Sequence, residues 1–384
     1  MTVTAPKGFR AASTTAGLKN SGGKDMALVV NDGAACSSAA VFTSNRAQAN
    51  PILWSRAANV SAAKAIIINS GGANCFTGDY GYETSRLTAE EVAQHIGCRA
   101  EDVLVCSTGL IGSGGPEFRE RVLSGVEPLV RELSSDDTSA AAAILTTDSV
   151  EKTVTWESPD GWTIGAMAKG AGMLAPGLAT MLVVITTDAA LEAGALERAL
   201  KSASRITFDR LDSDGCMSTN DQVTLLASAA SQVTPEESAF TKALQDVCGL
   251  LAKQLQADAE GASHSIDIEV RGAQCDADAE EVGRSVARNN LFKAAIFGND
   301  PNWGRVLAAI GTTTAAFDPY RVDVSFNGVR LCHAGGPDRP VDECDLTPEH
   351  THVVIELNAG SSTATIRTND LTHEYVHENS AYSS

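Results

Sequence analysis

The stretch from Trp162 to Asp188, WTIGAMAKGAGMLAPGLATMLVVITTD, holds the residues best suited to chemistry. Thr180 stands where a Gly/Pro-rich loop meets a β-branched run, with Ala179 before it and Met181-Leu182 after. Two readings compete for it. A buried threonine at a strand start is commonly structural, because its branched side chain suits a pleated surface. The alternative is a threonine that cuts its own preceding peptide bond. Its hydroxyl attacks the Ala179 carbonyl, the acyl group moves from N to O, and water releases it. The freed amine has a reference pKa of about 7.7–8.0, so it can act as general base to the neighbouring hydroxyl. The small side chain of Ala179 leaves room for the attack.

The same stretch carries a rival motif. Gly170-Ala171-Gly172-Met173-Leu174-Ala175 matches GxGxxA, and Asp188 falls roughly where a ribose-binding acid would stand. A dinucleotide site needs a helix opening at the second glycine, with its amides aimed at the pyrophosphate. Here Pro176 and Gly177 follow at once, and Val183 to Thr187 is β-branched. The order reads strand, loop, strand, and the dinucleotide reading is set aside. The other reactive types are dispersed. The nine cysteines form no CxxC pair, and Cys75, Cys98 and Cys106 lie in or beside apolar segments, as reduced buried thiols do. His373 and His377 are spaced i, i+4 but lack an HExxH context, which fits a solvated helix face. Asp258 and Glu260 are too sparse for a metal cage, so no metal site is expected.

The elements that must position these residues are mixed. Ala27–Val30, Ala65–Ile68 and Val103–Cys106 read as buried strands, the last running into Ser107-Thr108-Gly109. Thr88-Ala89-Glu90-Glu91 reads as a capping box opening a helix that Gly97 stops. Thr234-Pro235-Glu236-Glu237 reads as another helix start. Phe240, Leu244, Val247, Leu251 and Leu255 then mark the buried face. Ser265–Val270 alternates as a half-buried strand. Val322, Val324 and Phe326, then Asn327-Gly328, then Val329 and Leu331, form a two-residue hairpin signal. His352–Leu357 and Thr363–Thr368 are expected to be a second strand pair. The class is α+β rather than a regular βαβ series.

Composition excludes other functions. Lys plus Arg is 29 and Asp plus Glu is 48, a formal charge of −19, with no basic run. Nucleic acid and anionic membrane are therefore not expected partners. Apolar runs stop short of the 18 or so residues of a membrane span, and Met1 to Arg10 has no apolar signal core. A cytoplasmic protein is expected.

Lys169 to Pro176 followed by Ala179-Thr180-Met181-Leu182 resembles the self-cleavage motif of the ornithine acetyltransferases, also called glutamate N-acetyltransferases, of arginine biosynthesis. Cys106-Ser107-Thr108-Gly109-Leu110-Ile111-Gly112 is similar to that family's oxyanion-hole segment, and Leu145-Thr146-Thr147-Asp148 to its MTTD segment. Ser218-Thr219-Asn220-Asp221, Asp258 to Ala262, Gly298 to Arg305 and Glu378 to Ser384 also resemble it. They run in family order over nearly the whole chain.

The resemblance implies an αββα layered fold of the N-terminal-nucleophile type, cut between Ala179 and Thr180 into an α chain of 1–179 and a β chain of 180–384. It implies Thr180 as nucleophile and Thr108 and Gly109 as oxyanion hole. Thr146, Lys169, Thr180, Glu260, Asn379 and Ser384 would bind substrate, with Lys169 suited to a carboxylate and Glu260 to an ammonium. The substrates implied are N-acetylornithine and glutamate, by ping-pong transfer without a cofactor. Acetyl-CoA serves some members as donor, and the motif residues leave that open. The implied assembly is α2β2 or larger. Two departures stand out. Ser263-His264 follows Glu-Gly-Ala where many members have Lys, and Gly112 to Phe118 replaces a Leu-Pro-Met pattern. A self-cleaving aminopeptidase or amidase would use the same Thr180 but pass the acyl group to water. A non-catalytic metabolite-binding protein would show no cut.

Overall fold

The computed structural model describes residues 2–175 and 181–381. Ala179, Thr180 and Ser384 lie outside the described residues.

Two sheets pack face to face. The first has four strands in the order β1 (Phe9–Thr14), β2 (Met26–Asn31), β4 (Ala65–Ser70), β5 (Val103–Thr108). The second has five, in the order β3 (Ser37–Phe42), β9 (Gln222–Ala227), β8 (Leu182–Thr187), β7 (Thr163–Lys169), β6 (Lys152–Glu157). Phe9, Val29, Ile66, Ile68 and Leu104 of the first meet Met167, Val184 and Leu226 of the second in one core. Both central strand sets are buried on both faces, which is why they read as continuous apolar runs rather than alternations.

A helix layer covers each outer face. Leu28, Ile67, Val103 and Val105 pack on Trp54, Val92, Val122 and Val126, from the helices Asn50–Ala57, Gly78–Ile96 and Pro116–Arg131. Ile164, Val183, Ile185 and Leu225 pack on Leu196, Leu200, Phe240, Leu244 and Leu251, from Ala193–Ile206 and Glu237–Ala257. At about 1.5–3 kcal/mol per fully buried large apolar side chain, these contacts outweigh local propensity. The result is the expected αββα stack. The 179/180 boundary does not follow the layers: β3, β6 and β7 precede it, while β8 and β9 follow.

A third sheet extends the four layers. Its order is β13 (Gly336–Pro337), β12 (Val329–His333), β11 (Asp323–Phe326), β14 (His350–Glu356), β10 (Ser265–Ala273), β15 (Ser362–Asn369). Three helices, Asp276–Ala287, Asn290–Phe297 and Trp303–Ile310, cover one face over Ile268, Val270, Val324, Val353 and Ile366. Asn327 and Gly328, at φ +44° and +83°, make the expected hairpin turn.

Three local expectations differ from the structure. The helix ending at Gly97 begins at Gly78, so Thr88 is no cap. Its hydroxyl donates instead to the Thr84 carbonyl 2.8 Å away, inside a helix already formed. The long helix starts at Glu237 after an extended Glu236, two residues beyond the expected Pro-containing first turn. Finally, β14 and β15 do not pair. β10 runs between them, parallel to β14 and antiparallel to β15. The connection wraps the end of β10, where Leu357 N–H donates to Arg271 O and Ala359 N–H to Gly272 O. Gly360 is required there, because a Cβ would lie 2.3 Å from the Ala273 carbonyl oxygen.

Candidate active site

The site forms where strand ends of both sheets meet. β4 and β5 run parallel with Ser70 beside Thr108, and β7 and β8 pair antiparallel with Lys169 beside Leu182. Residues 170–181 therefore link neighbouring strands in the chain. Among the described residues of this link no helix opens after Gly170, which removes the geometry a dinucleotide site needs.

The β5 end is fixed by backbone geometry. The Thr108 carbonyl accepts from Gly71 and Gly72 N–H at 2.9 and 3.0 Å. Gly109 sits at φ +132°, and a Cβ there would lie 2.6 Å from Gly72 N. Only glycine meets both demands. Asn220 braces the same region, its amide donating to Ala73 O at 2.7 Å and Ser107 O at 2.8 Å.

Lys169 is 1% exposed. Its ammonium donates to Thr146 Oγ1 at 2.6 Å and Thr108 Oγ1 at 3.2 Å, and lies 3.7 Å from Asp148 Oδ2. The Asp148 side chain is fully buried and accepts from Lys152 Nζ at 2.7 Å, Gly170 N–H at 2.5 Å and Thr146 N–H at 3.1 Å. Lys152 also pairs with Asp258. Burial alone would raise the Asp148 carboxyl, but Lys169 and Lys152 outweigh it and hold it down at about 2. Burial lowers the Lys169 ammonium, and Asp148 opposes that.

Across from these, Glu260 accepts from Thr147 Oγ1 at 2.8 Å and Asn379 Nδ2 at 3.1 Å, while its own N–H donates to Ala171 O at 3.0 Å. Asn379 lies on the terminal helix His373–Ala381. Thr108, Gly109, Thr146, Lys169, Glu260 and Asn379 thus line one cavity of about 220 Å³, with Asp214 and Tyr375 also in its wall. A second cavity of about 240 Å³ adjoins it through Asp214, Glu260 and Tyr375. Burial raises the carboxyl of Asp214, and pushes the Tyr375 phenol up to about 12 with help from the negative charges of Asp214 and Glu260.

The structure therefore brings together every described residue expected at the site. Sequence reasoning missed Asp148, Lys152, Asn220 and Asp221 as named participants. Each sits in or beside a recognised segment, but burial and pairing appear only in three dimensions. Asp221 is buried and its Oδ1 accepts from Met181 N–H at 3.1 Å, beside the expected nucleophile in sequence; burial raises its carboxyl well above the usual range. His264, one of the departures, is buried between Asp370 Oδ2 at 2.9 Å and the Leu346 carbonyl at 3.0 Å. Cys75 and Cys106 are buried thiols as expected, and Cys98 is half-buried.

Residues 10–384 match the ArgJ family. The chain belongs to the ArgJ family. The arginine biosynthesis bifunctional protein ArgJ of Streptomyces coelicolor is 57% identical over 386 residues, covering 100% of both chains. A solved structure of the ornithine acetyltransferase of Mycobacterium tuberculosis complexed with ornithine is 44% identical, covering 47% of this chain and 96% of that one, at a TM-score of 0.44. A solved arginine biosynthesis bifunctional protein ArgJ from Bacillus halodurans is 33% identical, covering 52% of this chain and 98% of that one, at a TM-score of 0.50. No helix among the described residues of this ArgJ-family chain is long and apolar enough to cross a membrane.

Proposed function

We propose that this enzyme of arginine biosynthesis moves the acetyl group of N-acetylornithine to glutamate through an acetyl ester on Thr180, after cutting its own Ala179–Thr180 bond. In the cut, Thr180 Oγ attacks the Ala179 carbonyl carbon, the C–N bond breaks, and the nitrogen takes the hydroxyl proton. Water then hydrolyses the ester, leaving an Ala179 carboxylate and a free Thr180 amine. In transfer, that amine takes the hydroxyl proton as Oγ attacks the acetyl carbon, and passes it to the departing ornithine nitrogen. The neutral α-amine of glutamate attacks the acetyl ester next, the ester C–O bond breaks, and the proton it loses passes through the Thr180 amine back to Oγ as N-acetylglutamate leaves. Thr108 Oγ–H and Gly109 N–H are assigned to the oxyanion in every step. Glu260 and Asn379 are assigned to the amino-acid substrate, and Thr146, Lys169 and Ser384 complete the set.

The observation that carries this reading is the convergence of Thr108, Gly109, Thr146, Lys169, Glu260 and Asn379 on one cavity at the β7–β8 connection. Two further facts support it. Almost the whole Bacillus halodurans chain aligns to about half of this one, as one fragment of a cut protein would. β7 and β8 hydrogen-bond along their length, so two fragments would stay together, and α2β2 is the assembly proposed. Acetyl-CoA as an alternative donor is a second reading, favoured by the word bifunctional in the relative's name. A cytoplasmic location completes the proposal.

Intact-mass analysis and N-terminal sequencing of purified protein test it, with one fragment expected to begin at Thr180. Parallel double-reciprocal lines are expected for N-acetylornithine and glutamate. Full-length chain in active enzyme, or plain hydrolysis without acetylglutamate, would refute it.

A further inference from the structure

We infer that Lys169 is a positioning residue of the oxyanion hole: held by Asp148, its ammonium fixes the Thr108 hydroxyl so that the hydrogen faces the reacting carbonyl. The inference deepens the proposed function and rests on it.

An ammonium has three donors and no acceptor, whereas a threonine hydroxyl has one donor and normally rotates to suit its surroundings. Lys169 donates to both Thr108 Oγ1 and Thr146 Oγ1, so neither hydroxyl hydrogen can point at it. Among the described residues, neither hydroxyl donates to a protein acceptor. Both border the cavity. The rotation that would otherwise be free is thereby biased toward the space a carbonyl oxygen must enter. A donor already aimed needs no reorganisation when the oxyanion forms, which is the condition for strong stabilisation. The positive charge behind the hydroxyl also polarises its O–H toward the cavity.

Asp148 gives this arrangement its permanence. Its buried carboxylate faces Lys169 and simultaneously receives Thr146 N–H, Gly170 N–H and Lys152. Backbone segments from both sides of the cavity and the ammonium between them are thus held by one group. The other role, a direct partner for a substrate carboxylate, would share the donors that Thr108 and Thr146 already receive, with Asp148 facing the ammonium at 3.7 Å.

Self-cleavage separates the two roles, because it involves no substrate. Lys169→Met, and Asp148→Asn combined with Lys169→Met to remove both buried charges together, are expressed as full chains beside the wild type. Melting curves identify which are folded, and intact mass follows the fraction cut with time. We expect processing at least tenfold slower in the folded variant, kcat lowered more than KM, and little further slowing when Lys169→Met is added to Thr108→Ala. Wild-type processing speed with only KM raised would overturn the inference. So would full additivity with Thr108→Ala. An uncut but active wild type would instead sink the proposed function.

Discussion

Replacing Gly172 by alanine places a methyl group 2.5 Å from Glu260 Oε1 and 2.6 Å from its Cδ and Oε2. Gly172 does not have a left-handed φ, so the change tests space alone. A relaxed contact needs about 3.5 Å, so the carboxylate must retreat by about 1 Å. It is pinned by Thr147 at 2.8 Å and Asn379 at 3.1 Å. A retreat of that size takes at least one of these bonds beyond hydrogen-bonding range. Bonds to a charged group are each worth about 1.5–3 kcal/mol. If Glu260 receives the side-chain ammonium of N-acetylornithine, losing about 1.5–3 kcal/mol of alignment raises KM for that substrate roughly 10- to 100-fold. The cut at Thr180 should be unaffected, and KM for glutamate, which lacks that ammonium, should rise less. Steady-state kinetics at varied concentrations of both substrates, with the fragment pattern as control, provides the assay. Glu260→Gln gives the matching loss of charge without the clash. Gly172→Ala with wild-type KM for N-acetylornithine would refute the assignment of Glu260.

Other expected outcomes are as specific. Thr180→Ala should remain uncut and inactive by gel and acetyl-transfer assay. Thr108→Ala should slow both processing and transfer about 10²–10³-fold, the usual cost of one oxyanion donor; unchanged rates in folded protein would remove it from the site. Truncation after Tyr375 removes Asn379 but leaves the β sheets intact, so cutting should survive while transfer falls sharply. The Asp148 carboxyl is held down at about 2, below its unfolded value of about 3.9, so its stabilisation is present above about pH 4 and lost as pH falls through about 2. Asp148→Asn should melt lower at neutral pH by the equivalent of about 3–5 kcal/mol, since two ammonium groups lose a buried partner. The melt should also lose part of its steepness between pH 4 and 2.

What the sequence discloses follows from how local each signal is. The Asn327-Gly328 turn and the Phe240–Leu255 stripe need only neighbours along the chain, and both are in place. The pairing of β14 with β15 was misread because the strand between them, β10, lies some eighty residues earlier; no local pattern marks a loop that steps over a third strand. Thr88 misled because a threonine three residues before a glutamate looks the same at a helix start and inside a helix. The four-layer stack and the candidate site residues were named through motif resemblance, and one cavity gathers Thr108, Lys169, Glu260 and Asn379 from distant segments. Asp148 stayed hidden for a different reason: its importance lies in two ammonium groups that reach it from β6 and β7, and burial of that kind has no signature in composition.

The adjacency of β7 and β8 has a consequence for how the protein can be lost and regained. In the uncut chain a 12-residue link joins the two strands, and their encounter is intramolecular, at an effective concentration of about millimolar. If the proposed cut severs the link, the β7–β8 pairing stays in place, but any later reunion becomes a collision between separate molecules. At micromolar protein that is roughly a thousandfold rarer. Refolding after denaturation should therefore depend on concentration for the mature enzyme and not for the Thr180→Ala precursor. The mature enzyme would keep a shape that its two pieces find only with difficulty again, and heat inactivation would be governed by how slowly it opens rather than by its equilibrium stability.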